Sequence, residues 1–438
     1  MVGGRWCVKY TWISGGHTGA GERKEANGLE RRWRGNNMEG EIRRFTMMMC
    51  FVMAIPFIFG IPGSARAEGE ARNVIFMVPD GMGISYVTAT RIFKNGPDGE
   101  RLQLEVLPHI GYQSTHSKNG TITDSAAAAS AWATGEKYNN GEISCHDNDV
   151  DGACDSGTTI PTLLDVAKSM GKATGLVVTS DVTHATPAAF GSHVHHRKCE
   201  EEIARQYIER KIDVVFGGGI GKNRGACLLG ESAENYLDVL LSEAVATGYT
   251  VVENRGDMDE ALSAGVKKML GLFHPGGKTK ELFRVDPTVA YPETEPTLSE
   301  MTEAALDILE KDEDGFFCLI EGSQIDWAGH ANDTGYLLGE MLAFDEAVRI
   351  VHEWVAADPL RRLNTLIVVV ADHETGGMMI GGPADKLSAA GDKVDTGWTS
   401  RRHTAQDTLI WSQGPGSWRL GRALDNTDLY GLILDALK

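Results

Sequence analysis

The sequence predicts an α/β protein: a three-layer αβα arrangement with a largely parallel central sheet and a peripheral insertion. Two observations carry that prediction. From Asn73 onward, short apolar runs alternate with stretches of helical spacing. Near-continuous β-branched runs fit strands buried on both faces, the habit of a parallel sheet flanked by helices. Polar residues able to bind metal also stand directly at or after these runs: Asp80, Glu321 with Asp326, and Asp372-His373. In open α/β sheets, ligands bind outside the carboxyl ends of the strands, so different strands deliver carboxylates and imidazoles to one edge.

The elements follow in order. Arg43-Arg44 precedes the uncharged run Met47 to Ile61, and Ser64-Ala65-Arg66-Ala67 follows it. A charged region, a short apolar region and an Ala-x-Ala site predict a secretory signal over residues 38–67. As a membrane anchor the run is short, and Pro56, Gly60 and Pro62 sit in or beside it. Residues 1–37 remain unassigned, with Met38 as an alternative start. Strands are predicted at NVIFMV (73–78), ATGLVVTS (173–180), IDVVFGGG (212–219), GFFCLIEG (315–322) and TLIVVVADH (365–373). Helical spacing marks TLLDVAKSM (162–170), Thr297 to Glu310 and Leu337 to Val355. Weaker periodicity over 222–296 is read as an insertion or peripheral subdomain of the folded unit 68–438.

The chain has 438 residues and a formal charge of −19. Residues 1–67 hold ten basic and five acidic residues, so export leaves 371 residues at −24. An acidic chain with no basic tract lacks the footprint of a nucleic-acid binder, and an anionic ligand would need local positive charge. Export also leaves five cysteines. In an oxidising compartment Cys145 can close a small loop with Cys154, and Cys199 can reach Cys227. Cys318, inside FFCLI, is expected to be a buried free thiol. No CxxC is present, which argues against a cysteine zinc site.

Three segments carry chemistry. In TDSAAAASAW (123–132) the alanines form a slim helix with Asp124 or Ser125 at its start. Read alone, that pair is a helix cap before it is anything else. The same position would put the Ser125 hydroxyl at the positive helix end, where an anion is favoured. In EGSQIDWAGH (321–330), Asp326 and His330 share a helix face and can hold one divalent ion, while Glu321 can serve a neighbouring one. Asp and His together suit zinc, and oxygen alone suits magnesium. Asp372-His373 points two side chains apart unless the chain turns, as Gly376-Gly377 suggests.

Together with Asp80-Gly81-Met82-Gly83, these segments resemble the motifs of alkaline phosphatases, in that family's order, from about Asn73 to beyond His403. The resemblance implies an alkaline-phosphatase-like fold over 68–438, and hydrolysis of small phosphate monoesters to inorganic phosphate. It implies that Ser125 is the nucleophile that becomes phosphorylated. Asp326, His330 and His403 match the ligands of one zinc, and Asp80, Asp372 and His373 those of a second. Thr186 and Glu321 match a magnesium site toward which Asp80 bridges. Arg197 matches the arginine that grips the phosphate, its fork suited to two oxygens, with Asp124 holding it in place. His184 stands where some members have Asp near magnesium, and Trp327 where they have Lys, which weakens the expected magnesium affinity. A periplasmic or secreted homodimer with no membrane span after signal cleavage is implied as well.

His193, His195 and His196 are read as bystanders, and Gly217-Gly218-Gly219 as a strand-end turn, since no Walker lysine follows. Among rivals, a sulfatase needs a modified Cys or Ser before x-P-x-R, whereas alanines follow Ser125. A diesterase of the superfamily typically uses threonine. An exported scavenger that binds zinc or phosphate without turnover is the reading from another class.

Overall fold

The structure, a computed structural model, describes residues 70–149, 151–219, 236–285 and 292–438. The expected signal segment and Cys227 lie outside them. Fourteen strands occur among the described residues: β1 (Asn73–Pro79), β2 (His109–Ser114), β3 (Ala173–Asp181), β4 (Val214–Gly218), β5 (Thr250–Val252), β6 (Met269–Leu272), β7 (Phe316–Gly322), β8 (Thr365–Val370), β9 (Glu374–Thr375), β10 (Met378–Ile380), β11 (Thr396–Trp398), β12 (His403–Thr404), β13 (Thr408–Gln413) and β14 (Ala423–Asp425). Ten form one sheet in the order β14-β2-β13-β8-β1-β7-β3-β4-β6-β5. Neighbours run parallel except β13, which is antiparallel to both β8 and β2. The predicted three-layer α/β fold is the observed one.

β1 shows why its sequence is apolar from Val74 onward. Ile75 and Met77 enter the core on one face, with helices Ile84–Asn95, Leu298–Leu309 and Thr334–Ala356. Val74, Phe76 and Val78 enter it on the other, with helices Ser125–Thr134, Leu163–Ser169, Ala185–Gly191 and Asp428–Leu437. A strand covered on both faces leaves no position for a polar side chain until the strand ends. Phe76 packs edge-on to Trp132 with centroids 5.3 Å apart. Truncating it to alanine would cost about 3–5 kcal/mol.

Helix starts follow the local sequence. Thr162 and Thr297 each build a capping box, with Asp165 and Glu300 returning the hydrogen bond. Asp124 caps the alanine helix, all ten residues of which are buried. Within 222–296, the described residues place β5 and β6 at the far edge of the main sheet. Cys145 and Cys154 are joined by a disulfide. Cys199 is also disulfide-bonded, while Cys318 is free and buried.

β8, β1, β7 and β3 are neighbours at the sheet's centre. Their carboxyl ends lead to Asp372-His373, Asp80, Glu321 with Asp326, and the turn into His184 and Thr186. One end of four adjacent strands therefore carries nearly every polar residue singled out above.

Candidate active site

The alanine helix enters this end of the sheet with its positive terminus. Asp124 accepts the Ala127 N–H at 3.0 Å and the Gly141 N–H at 3.2 Å on Oδ1. Its Oδ2 accepts Arg197 Nη1 at 3.0 Å. The cap and the arginine holder are thus the same carboxylate. The other terminal nitrogen of the guanidinium meets His184, with Nη2 3.1 Å from Nε2. Ser125, the first residue of the helix, is buried, and its Oγ lies 3.2 Å from His373 Nε2.

His373 sits between two groups of ligand-type atoms. Its Nε2 is 3.0 Å from Asp372 Oδ2 and 3.8 Å from Asp80 Oδ1, all three side chains being fully buried. Its ring stacks on His403 with centroids 3.5 Å apart. His403 Nε2 is 3.1 Å from His330 Nε2 and 3.5 Å from Asp326 Oδ1, and His330 Nε2 is 3.3 Å from Asp326 Oδ2. Asp80 also converges with His184 and Glu321. The sequence reading named Asp80, Asp124, Ser125, His184, Arg197, Glu321, Asp326, His330, Asp372, His373 and His403, and the fold brings all of them to this one place. Thr186, on the helix that His184 begins, presents a buried hydroxyl with no hydrogen-bond partner.

The arrangement calls for cations. Neither oxygen of Asp80 or Glu321 accepts a hydrogen bond, nor does Asp372 Oδ2, although all are buried. An unpartnered buried carboxylate is costly unless a charge compensates it. Burial raises Asp80 well above the carboxylate range, and Asp372, Asp326 and Glu321 raise it further. Burial pushes Glu321 up to about 8. The imidazoles tell the same story. His330 Nδ1 faces the Arg401 carbonyl at 2.7 Å, and His403 Nδ1 the Thr123 carbonyl at 2.9 Å. Carbonyls only accept, so both Nδ1 atoms carry protons and both Nε2 lone pairs face each other. A proton or a metal ion has to lie between them. The hydrogen bond to Asp326 raises His330 to about 9, whereas burial lowers His403 to about 4.

The comparisons with known proteins agree with this chemistry. The sequence profile described as alkaline phosphatase matches residues 71–393. The chain belongs to the alkaline phosphatase family. Alkaline phosphatase 3 of Bacillus subtilis is 32% identical, over 85% of this chain and 90% of its own length. Streptomycin-6-phosphate phosphatase of Streptomyces griseus is 31% identical, over 84% and 90%. The structure of alkaline phosphatase from the Antarctic bacterium TAB5 superposes with a TM-score of 0.68 at 28% identity, covering 84% of this chain and 98% of that one. A variant of that enzyme holds Mg in a site called M3. The protein is a metal-dependent phosphatase of this family, and its buried, unpartnered carboxylates and bare imidazoles fit metal ions.

The bystander residues pack around the Arg197 loop. His193 contacts the Ser144 carbonyl and Asp165, and His195 lies 3.7 Å from Cys199 Sγ. The sequence reading missed Thr375, Glu374 and Tyr86. Glu374 accepts the Gly377 N–H at 2.9 Å and the Thr404 hydroxyl, tying the His373 turn to the strand that carries His403. Tyr86 donates to the Thr375 carbonyl. The only signal for Glu374 and Thr375 was their place in HETGG, immediately after His373; Tyr86, on the helix Ile84–Asn95, had none.

Proposed function

We propose that this enzyme hydrolyses a broad range of phosphate monoesters through a phosphoserine on Ser125. Two zinc ions and one magnesium would be its metals. Asp326, His330 and His403 would hold one zinc; Asp80, Asp372 and His373 the second; Thr186, Glu321 and Asp80, beside His184, the magnesium. The observation that carries the reading is Ser125 Oγ at a helix N-terminus, beside His373 Nε2 and carboxylate oxygens that have no donors. When bound, these ions supply Lewis-acid charge where negative charge develops.

The chain's own residues do the rest. Arg197 reaches two phosphate oxygens with its fork, and Asp124 keeps that fork aimed. The Ser125 oxygen attacks phosphorus in line, the ester P–O bond breaks, and the alcohol leaves. Water then cleaves the phosphoserine, returning the Ser125 hydroxyl and inorganic phosphate. Because only the phosphate is gripped, the remainder of the ester is left to solvent and selectivity is broad. His184 beside Arg197 puts imidazole where a carboxylate would favour magnesium, so the third site is the weakest.

Export belongs to the same proposal. Residues 38–67 would be removed as a signal, leaving 68–438 as the catalytic unit in the periplasm or medium, assembled as a homodimer. Among the described residues no helix is long and apolar enough to cross a membrane.

The test is stoichiometric. Nitrophenyl phosphate should give a burst of one nitrophenol per active site and then steady turnover, with phosphate trapped on Ser125 at low pH. Ser125→Ala should keep its metal and lose the burst, with turnover down on the order of 10³-fold or more. Full activity in that variant, or faster turnover of a nitrophenyl diester or sulfate, would overturn the proposal.

A further inference from the structure

Thr375 is fully buried at the point where four ligand-bearing segments meet. Its N–H donates to the Gly81 carbonyl at 3.0 Å, beside Asp80. In the β9–β12 ladder it lies opposite His403. Its Oγ1 is 2.5 Å from Asp326 Oδ1 and 3.3 Å from His373 Nδ1. The cradle is tight: a Cβ on Gly81 would fall 2.7 Å from Thr375 Oγ1, and one on Gly329 3.0 Å from Thr375 Cβ. Gly81 holds φ +73°, which leaves the position to glycine on both counts.

We propose that the Thr375 hydroxyl is a positioning group that orients the Asp326 carboxylate and fixes His373 as its Nδ1–H tautomer. The inference rests on the phosphatase reading above, because its purpose is to aim two metal ligands. The proton count settles the direction. A hydroxyl has one proton, and the ionised Asp326 carboxylate can only accept, so that proton goes to Oδ1. Thr375 Oγ1 then has only lone pairs for His373, and Nδ1 must carry the ring proton. Nε2 is left bare, at the point where Asp372 Oδ2 and Ser125 Oγ converge within 3.0 and 3.2 Å. One side chain therefore spans the ligand sets of both proposed zinc sites, as partners behind metal-bound imidazoles commonly do.

A structural role alone would need only the volume, which valine supplies. Thr375→Val removes the hydroxyl and Thr375→Ser keeps it. Zinc-loaded wild type and both variants are titrated with a competing chelator, with thermal unfolding of the metal-free forms as the folding control. The valine variant should hold zinc about 10- to 100-fold more weakly, and the serine variant within about threefold of wild type. Equal zinc affinity in all three overturns the proposal while leaving the phosphatase reading intact. A wild type that neither holds zinc nor hydrolyses a monoester overturns both. Should the valine variant fail to fold, histidine-selective nitrogen-15 spectra of zinc-loaded wild type decide, with the signal assigned by His373→Gln. A proton on Nδ1 of His373 supports the assignment, and a proton on Nε2 overturns it.

Discussion

Two acidic clusters in this chain have similar composition and opposite chemistry. At the end of the sheet, Asp80, Glu321 and Asp372 come from strands far apart in sequence, and each has at least one buried oxygen without a donor. In and beside the loop closed by Cys145 and Cys154, Asp147, Asp149 and Asp155 also bring their oxygens together. There the donors are local. Asp147 accepts the Asp151 and Gly152 N–H groups at 3.0 and 3.1 Å, and Asp155 accepts the Asn148 N–H at 3.2 Å. A half-buried carboxylate bonded to backbone loses little, whereas a fully buried one without donors is costly. Burial without a partner, not acidity, separates candidate ligands from turn residues.

Removing the metals should therefore have the largest effect, and only at the sheet's end. Chelation should abolish turnover, and zinc with magnesium should restore it. It should also make stability depend on pH. In the metal-free protein burial raises Glu321 from 4.5 to about 8, and the hydrogen bond to Asp326 raises His330 from 6.5 to about 9. Both groups then bind protons more tightly folded than unfolded, so stability falls as pH rises through those values. His403, lowered to about 4, acts in the opposite sense but only below pH 6.5. The melting temperature of the metal-free protein should decline from pH 6.5 to 8, and more steeply than that of the loaded protein. A rise across that window would count against the assignment of these groups as uncompensated.

Asp124 lies between the two extremes. It is a helix cap bonded to backbone, like the loop carboxylates, yet its second oxygen holds Arg197. Arg197→Met should lower kcat/KM for a monoester by about 10²–10³-fold, the usual loss on deleting one fixed donor to a developing charge. Asp124→Asn keeps a good cap, so stability should move by less than about 0.5 kcal/mol. It weakens the hold on the guanidinium, and inorganic phosphate should become a severalfold poorer competitive inhibitor. An unchanged inhibition constant would show that Arg197 is aimed by His184 instead.

The fold was legible because a strand buried on both faces, such as β1 or β8, writes its burial into every residue. The site was legible where polar residues interrupt such runs, as at Asp80 and Asp372. It was less so at Ser125, where the capping signal and the nucleophile signal are the same two letters, and at His403, whose neighbours carry no pattern. Thr375 and Glu374 were marked only by standing next to His373. Their importance comes from a two-residue ladder between segments 28 positions apart, His403 opposite Thr375, which no local spacing announces. Two of the cysteines divide similarly. Cys318 was read correctly from its apolar run, while the partner proposed for Cys199 lies outside the described residues.

The smallest effect should come from the loop, and it is the control that gives the comparison its force. Asp155→Asn keeps an acceptor for the Asn148 N–H and removes one half-buried charge beside a disulfide-closed turn. Carboxylate and amide oxygens serve such turns almost equally, so stability should change by less than about 1 kcal/mol. Zinc content and turnover should stay at wild-type values, because Asp147 and Asp155 already accept from donors within the loop. Asp80→Asn makes the same chemical change, one carboxylate to one amide, where no donor waits. It should lose metal and activity together. Metal analysis and monoester turnover of these two variants, measured side by side, read the comparison directly. Equal losses in both would mean that acidity had been the determinant after all.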